Sequence, residues 1–349
     1  MKCTIQNIAD HLGLSRNTVS KALKNSSDVS ENTRNLVIKT ASKLGYKNAT
    51  FATPVIPASE TGSNGTILFL TRTYASDSEF WTTVLRGIES ILSNANYHLA
   101  ISIMSDSDLK QLNFPQTISD SSIKGIILVE ICDKVVCDAL SQFNLPIVSV
   151  DMPNVPFEEL NGIDVVTMES KKNLKKIINQ LIEKGAESFG FVGDLYSPNV
   201  SRGFQERYNA LSECLAEHQL PLNQKNCLLH QTPEDFRNFQ TTVNNLQAMI
   251  SLPDVFICGN DWTAIQLIYA LQFLGFQIPK DICVVGFDNI PAASRISPSL
   301  TTISTPQKYL GIAAARQILE RIQHPNCPHV FCQYETELII RNSTNITSF

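Results

Sequence analysis

From Gly65 to about residue 341, short β-rich runs alternate with longer stretches of helical period. Few architectures tolerate that alternation. Strands are expected at Ile67–Leu70, Leu99–Ile103, Ile126–Val129, Ile147–Val150, Phe189–Val192, Val255–Cys258 and Val284–Phe287. The clearest helix is 169–184, where Leu174, Ile177, Ile178, Leu181 and Ile182 fall on one stripe and five lysines cover the solvated face. Strand–helix alternation predicts parallel sheets with helices on both faces. A length of about 275 residues exceeds one such layer, so the expected fold is an α/β core of two doubly wound parallel-sheet subdomains. Ligands of such sheets sit beyond the carboxyl ends of the strands, here in the cleft between subdomains.

Composition excludes several classes. With 43% hydrophobic and 17% charged residues, the 349-residue chain has enough apolar content for sizeable cores. No apolar run reaches the ~18 residues that span a bilayer, and Met1–Asp10 turns polar too early for a secretory signal, so a cytoplasmic protein without membrane contact is expected. Nine cysteines at irregular spacing read as reduced thiols. Residues 1–50 carry eight Lys/Arg and three acids, a formal +5, which leaves −10 for the remainder of a chain whose net charge is −5. Only this head is suited to a polyanion.

The head reads as three short helices. Thr4 caps one carrying Ile5, Ile8, Ala9 and Leu12, and Gly13 ends it. Ser15 caps a second, with Val19, Ala22 and Leu23 inward. Ser30 caps a third, with Leu36, Val37, Thr40, Ala41 and Leu44 on one face and Gly45 as its stop. Two helices joined by a tight glycine turn, with a third as support, form a helix-turn-helix, an all-α DNA-binding domain. On its second helix Arg16, Asn17 and Lys21 are suited to base edges, because Arg and Lys bond guanine and Asn bonds adenine. Thr4, Ser15, Thr18 and Ser20 offer short hydroxyls to phosphates. Residues 53–64 hold two prolines and no usable period, as a linker would.

These residues resemble the LacI/GalR family of bacterial transcriptional regulators. The head contributes Thr4-Ile-Gln-Asn-Ile-Ala-Asp-His-Leu-Gly-Leu-Ser15, Thr18-Val-Ser20, Val29-Ser-Glu-Asn-Thr-Arg34 and Leu44-Gly-Tyr46. The body contributes Phe191-Val-Gly193, Cys258-Gly-Asn-Asp261, Ile278 to Asn289, Leu300-Thr-Thr-Ile303 and Leu338 to Thr344. The resemblance implies a helix-turn-helix head at 1–48 and a hinge at 49–64. It also implies a periplasmic-binding-protein-like core, with one subdomain from 65–184 plus 306–330 and the other from 185–305 plus 331–341. A repressor is implied, acting as a homodimer on double-stranded operator DNA under the control of a small effector, a sugar or sugar derivative, in the cleft. Arg207, Asn260 and Asp288 fall where family members bond ligand oxygens, Phe80 and Trp81 match an aromatic pair, and Tyr74 and Asp77 lie on the loop before it.

Some features depart from the pattern. The family's hinge helix carries a wedging Leu, whereas this chain has Pro54 and Val55 there, so a weakened hinge is expected. Ala186 and Glu169 replace a usual His and Asp. His324, Cys327, His329 and Cys332 lie within nine residues, a cluster of soft zinc-ligand types, but on a loop with two prolines, and no metal or cofactor is expected. No nucleophile elbow, phosphate loop or dinucleotide fingerprint is present, so no enzyme is expected. Two alternatives remain at this point: a solute-binding protein of the same core fold, or a regulator whose core responds to a protein partner.

Overall fold

The computed structural model describes residues 4–23, 29–30, 33, 36–37, 40–41, 63–72, 78–195, 201–230 and 238–346. The chain divides into two compact units, Met1–Gly62 and Ser63–Phe349.

In the head, α1 (Ile5–Leu12) and α2 (Arg16–Leu23) are joined by Gly13, whose φ of 63° suits a residue without a Cβ. Thr4 and Asn7 form a reciprocal cap: Asn7 N donates to Thr4 Oγ1 at 3.3 Å and Thr4 N donates to Asn7 Oδ1 at 2.9 Å. Ser15 Oγ accepts from Thr18 N at 3.0 Å, and Ser30 Oγ accepts from Thr33 N at 3.3 Å. Ile8, Ala9, Val19, Ala22, Val29, Val37 and Ala41 bury together as a small core. Leu36 departs from the expected inward face and is 51% exposed. The stripe runs through 37, 40 and 41, and Leu36 lies about 100° away from Val37 around the helix. Gly45, the hinge residues Pro54 and Val55, and the cleft-loop residues Tyr74 and Asp77 lie outside the described residues.

The body contains two six-stranded sheets. The first runs β11–β5–β4–β3–β1–β2, built from β1 (Thr66–Arg72), β2 (His98–Met104), β3 (Ile123–Val129), β4 (Ile147–Val150), β5 (Ile163–Met168) and β11 (Phe331–Tyr334). The second runs β12–β10–β9–β8–β6–β7, built from β6 (Phe189–Asp194), β7 (Leu228–His230), β8 (Val255–Cys258), β9 (Cys283–Asp288), β10 (Thr301–Ser304) and β12 (Glu337–Ile339). Every pairing is parallel except β10 with β12. The helices are α3 (Glu79–Asn94), α4 (Asp106–Gln111), α5 (Lys134–Ser141), α6 (Lys172–Glu183), α7 (Arg202–Glu217), α8 (Phe239–Ala248), α9 (Asp261–Phe273) and α10 (Gln307–Gln323).

Two expected subdomain limits are corrected. Phe331–Tyr334 pairs with Val165–Met168 in the first sheet, so the last crossing comes after Tyr334 rather than before Phe331. Helix α6 packs on α7 and β12, and its Lys175 binds Glu213 of α7 at 2.7 Å, so it belongs to the second subdomain. The first crossing therefore lies just after Met168 instead of at 184. Strand β5 was not among the expected strands because Asp164 and Thr167 interrupt its apolar run. Asp164 is fully buried and is satisfied by Arg321 of α10, whose Nη2 and Nε donate to its two oxygens at 2.7 and 3.0 Å. Gln317 Nε2 and Val330 N add two further donors. Helices α3 and α10 meet at Gly87 and Gly311, where a Cβ on either glycine would collide with the other helix's backbone.

Candidate functional site

On the head, α2 buries Val19 and Ala22 and presents the opposite side to solvent. Arg16, Asn17 and Lys21 are exposed there, as are Ser15 and Thr4, while Thr18 and Ser20 are half-buried. The hydroxyls of Ser15 and Thr18 are 2.8 Å apart, which orders the first turn of α2. The seven residues expected to meet DNA thus share the first turn of α1 and the solvent side of α2.

In the body, the segment beyond the carboxyl end of β4 in the first sheet meets the start of α7 in the second subdomain. Pro153, beyond β4, bridges Ser201 at the start of α7, and Arg202 N donates to Met152 O at 2.9 Å. Arg207 lies one turn further along α7. Its side chain is buried, its Cζ sits 3.6 Å from the centroid of the Phe287 ring and 5.1 Å from that of Phe204, and Nη1 donates to Gly259 O at 2.6 Å. Its Nε is buried without a hydrogen-bond partner. Such a group costs free energy until a ligand or water satisfies it.

Carboxylates flank this guanidinium from both subdomains. Asp288 ends β9 and Asp151 follows β4, and both sit at positive φ, 117° and 77°. Side chains rarely adopt that conformation, and it re-aims the carboxyl group at the strand end. Burial pushes the Asp288 carboxyl well above its ordinary range, and Arg207 only partly counters this. Burial also raises Asp151, opposed by a hydrogen bond from Met152 N and by Arg207. Asp261, fully buried in the first turn of α9, is pushed up to about 7 by desolvation, although Thr302 Oγ1 donates to it at 2.5 Å and Ile290 N at 2.9 Å.

Of the expected effector residues, Arg207 and Asp288 come together. Asn260 sits at the end of β8 and caps α9, its Oδ1 accepting from Thr263 N at 2.8 Å. Phe80 is buried in the core, and half-buried Trp81 packs edge-on against it with centroids 4.6 Å apart. Asp151 was missed although a signal existed. An acid closes or directly follows six strands, at Glu130, Asp151, Glu169, Asp194, Asp288 and Glu335. The His/Cys segment is dispersed: His329 Nδ1 lies 3.2 Å from Asp164 and His324 pairs with Glu320. Among the described residues no three His, Cys, Asp or Glu side chains could jointly hold a metal ion. The eight described cysteines are free thiols. No described helix is long and apolar enough to cross a membrane.

A helix-turn-helix head together with a two-subdomain core whose strand ends enclose a buried arginine defines the class of ligand-responsive DNA-binding regulators. Residues 4–48 match the model of bacterial regulatory proteins of the lacI family, and residues 178–344 match the periplasmic binding protein-like domain. The chain is 26% identical to an HTH-type transcriptional repressor PurR from Photobacterium profundum, over 97% of this chain and 98% of that one. It is 27% identical to a ribose operon repressor from Haemophilus influenzae, with the same coverage. Its fold matches a lac repressor dimer bound to operator with a TM-score of 0.67 at 20% identity, covering 99% of both chains. The chain carries a lacI-family regulatory domain and a periplasmic binding protein-like domain, and it is a DNA-binding transcriptional regulator.

Proposed function

We propose that the protein is a cytoplasmic repressor rather than an enzyme. In this reading it binds an operator as a homodimer through α2 and releases or retains it according to a small polyhydroxy effector held at Arg207. The repressors it resembles support the sign of regulation. Two-fold pairing follows from half-sites that need two heads about one helical turn apart. The observation that carries the effector site is the buried Arg207, with one N–H unpartnered between Asp151 of one subdomain and Asp288 of the other. Arg207 and Asp288 hold ligand hydroxyls in this reading, with Asn260, Phe80 and Trp81 completing the wall.

A ligand there is joined to the crossings between subdomains. The main-chain carbonyl of Asp288 accepts from Gln307 Nε2 at 2.6 Å and from Thr305 Oγ1 at 3.2 Å, and these residues form the passage from β10 into α10. A ligand that alters the Asp288 turn biases the angle between subdomains and hence the spacing of the two heads. The size of that bias is limited to the ligand's differential affinity for the two states. The test is operator binding by the full-length protein, followed by fluorescence anisotropy on its own promoter region with and without a panel of sugars. A sugar should shift operator affinity for the wild type and fail to do so for Arg207→Ala. A sugar response that survives in Arg207→Ala defeats this site.

A further inference from the structure

Asp288 is presented by a turn that its own local sequence does not enforce. Asp288 and Asn289 follow one another at φ 117° and 56°, the only adjacent pair of non-glycine residues at positive φ among the described residues. Asparagine tolerates the left-handed region better than most side chains, but two such residues in succession persist only where their surroundings over-determine them. Three segments distant in the chain supply that constraint. From β10, Thr302 Oγ1 accepts from Asn289 N at 3.4 Å, and Ser304 Oγ accepts from Asn289 Nδ2 at 3.1 Å. Beyond β12, Arg341 donates through Nη2 to Asn289 Oδ1 at 2.6 Å and through Nη1 to Leu300 O at 2.8 Å. Its backbone is pinned as well, Arg341 N donating to Thr301 Oγ1 at 2.9 Å. A planar guanidinium fork held on two acceptors has a fixed reach. From α9, Asp261 Oδ2 accepts from Ile290 N on the far side of the turn. Both ends of the Asn289 amide are thus committed. Phe287, the residue before Asp288, stacks on Arg207 at 3.6 Å, so a rotation of this turn moves the Asp288 carboxyl relative to that guanidinium.

We infer that Arg341 and Asn289 are positioning residues for the effector: Arg341 holds the Asn289 amide, and the amide holds the left-handed turn that aims the Asp288 carboxyl at the ligand. This rests on the cleft reading above and adds two residues that act through Asp288. Freed of these ties, the turn relaxes towards ordinary φ and carries the carboxyl out to water. The change has a sign. Burial holds the Asp288 carboxyl well above its ordinary range, so release lowers it. Deleting the Arg341 charge with the turn intact does the opposite, because a cation favours the ionised acid.

The experiment uses full-length protein with isotope-labelled aspartate carboxyls, titrated by NMR, the Asp288 signal being assigned by its loss in Asp288→Ala. In Arg341→Ala and in Asn289→Gly, each verified by cooperative thermal unfolding, Asp288 should titrate about one pH unit or more below its wild-type position. Glycine keeps the left-handed turn accessible, so a fall in Asn289→Gly reports the lost amide ties rather than strain. Arg341→Lys, which can still donate to Asn289 Oδ1, should stay near the wild type. Calorimetry with glucose, galactose, mannose and xylose is the second readout: any sugar that binds the wild type should lose tenfold or more in Arg341→Ala and Asn289→Gly and recover in Arg341→Lys. A merely structural tie would lower the melting temperature and leave both readouts alone. Asp288 titrating at or above its wild-type position in both variants overturns the inference, and this readout decides even where none of the four sugars binds. So does wild-type sugar affinity in both variants where Asp288→Ala binds weakly. Failure of the cleft reading looks different: the titration moves as expected, but Asp288→Ala binds every sugar as the wild type does.

Discussion

Asp261→Asn tests whether burial has been imposed on an acid that would otherwise ionise. The carboxyl is fully buried, held at about 7 against an ordinary value of 3.8, and it makes two hydrogen bonds. Because the folded value is raised, the folded state keeps a proton that the unfolded chain gives up. The group's contribution to stability is therefore complete below pH 3.8, falls as pH rises to about 7, and is level above. With about 1.4 kcal/mol for each pH unit between those two values, the loss is about 1.5 kcal/mol at pH 5 and about 4 kcal/mol at pH 8. Asparagine cannot ionise and mimics the protonated acid, its oxygen accepting from Ile290 N and its amide donating to Thr302 Oγ1. Urea unfolding of both proteins at pH 5 and pH 8 should then show the variant gaining about 2.5 kcal/mol on the wild type across that interval. A difference between the two proteins that stays constant across the interval would refute the reasoning.

Three further outcomes follow. Replacing Arg16, Asn17 or Lys21 with Ala should cost about 1–3 kcal/mol at the operator and relax preference at one base position each, read by anisotropy on operator variants. Asp164→Ala leaves the Arg321 guanidinium buried without its carboxylate and should destabilise the body by about 3–5 kcal/mol in urea unfolding. A compensated double variant, Asp164→Leu with Arg321→Met, should lose much less. Effector affinity measured with and without operator DNA should differ by the factor by which effector changes operator affinity; equal affinities would mean no coupling.

Much of this architecture is legible in the sequence because its periods are local. Thr4, Ser15 and Ser30 mark helix starts through hydrogen bonds spanning three residues, and Gly13 marks a helix end through its positive φ; all four features are present. Short strands rich in β-branched residues, such as Ile147–Val150 and Val255–Cys258, are found with the expected limits. What escapes is decided by partners distant in sequence. Strand β5 contains a buried acid that makes sense only once Arg321, 157 residues away, is beside it. The crossings after Met168 and Tyr334 depend on which sheet a segment pairs with, and no local pattern encodes that. The cleft was half legible: Arg207 and Asp288 were identified by resemblance, while Asp151 needed the opposed subdomain to bring it near Arg207.

The contact of Gly87 with Gly311, and the seat of β11 beside β5, have a consequence for synthesis. The first sheet and α3 are encoded early, yet the helix that covers them and the strand that closes their edge come from residues 307–334. Until that stretch leaves the ribosome, the nascent chain carries an open strand edge at Ile163–Met168 and a bare helix groove at Gly87. Such surfaces invite aggregation and chaperone capture. The second subdomain, whose strands β6 to β10 are consecutive in the chain, can assemble first and hold the earlier half in waiting. A ribosome stalled before residue 307 therefore displays a chain whose head can fold but whose first subdomain cannot close.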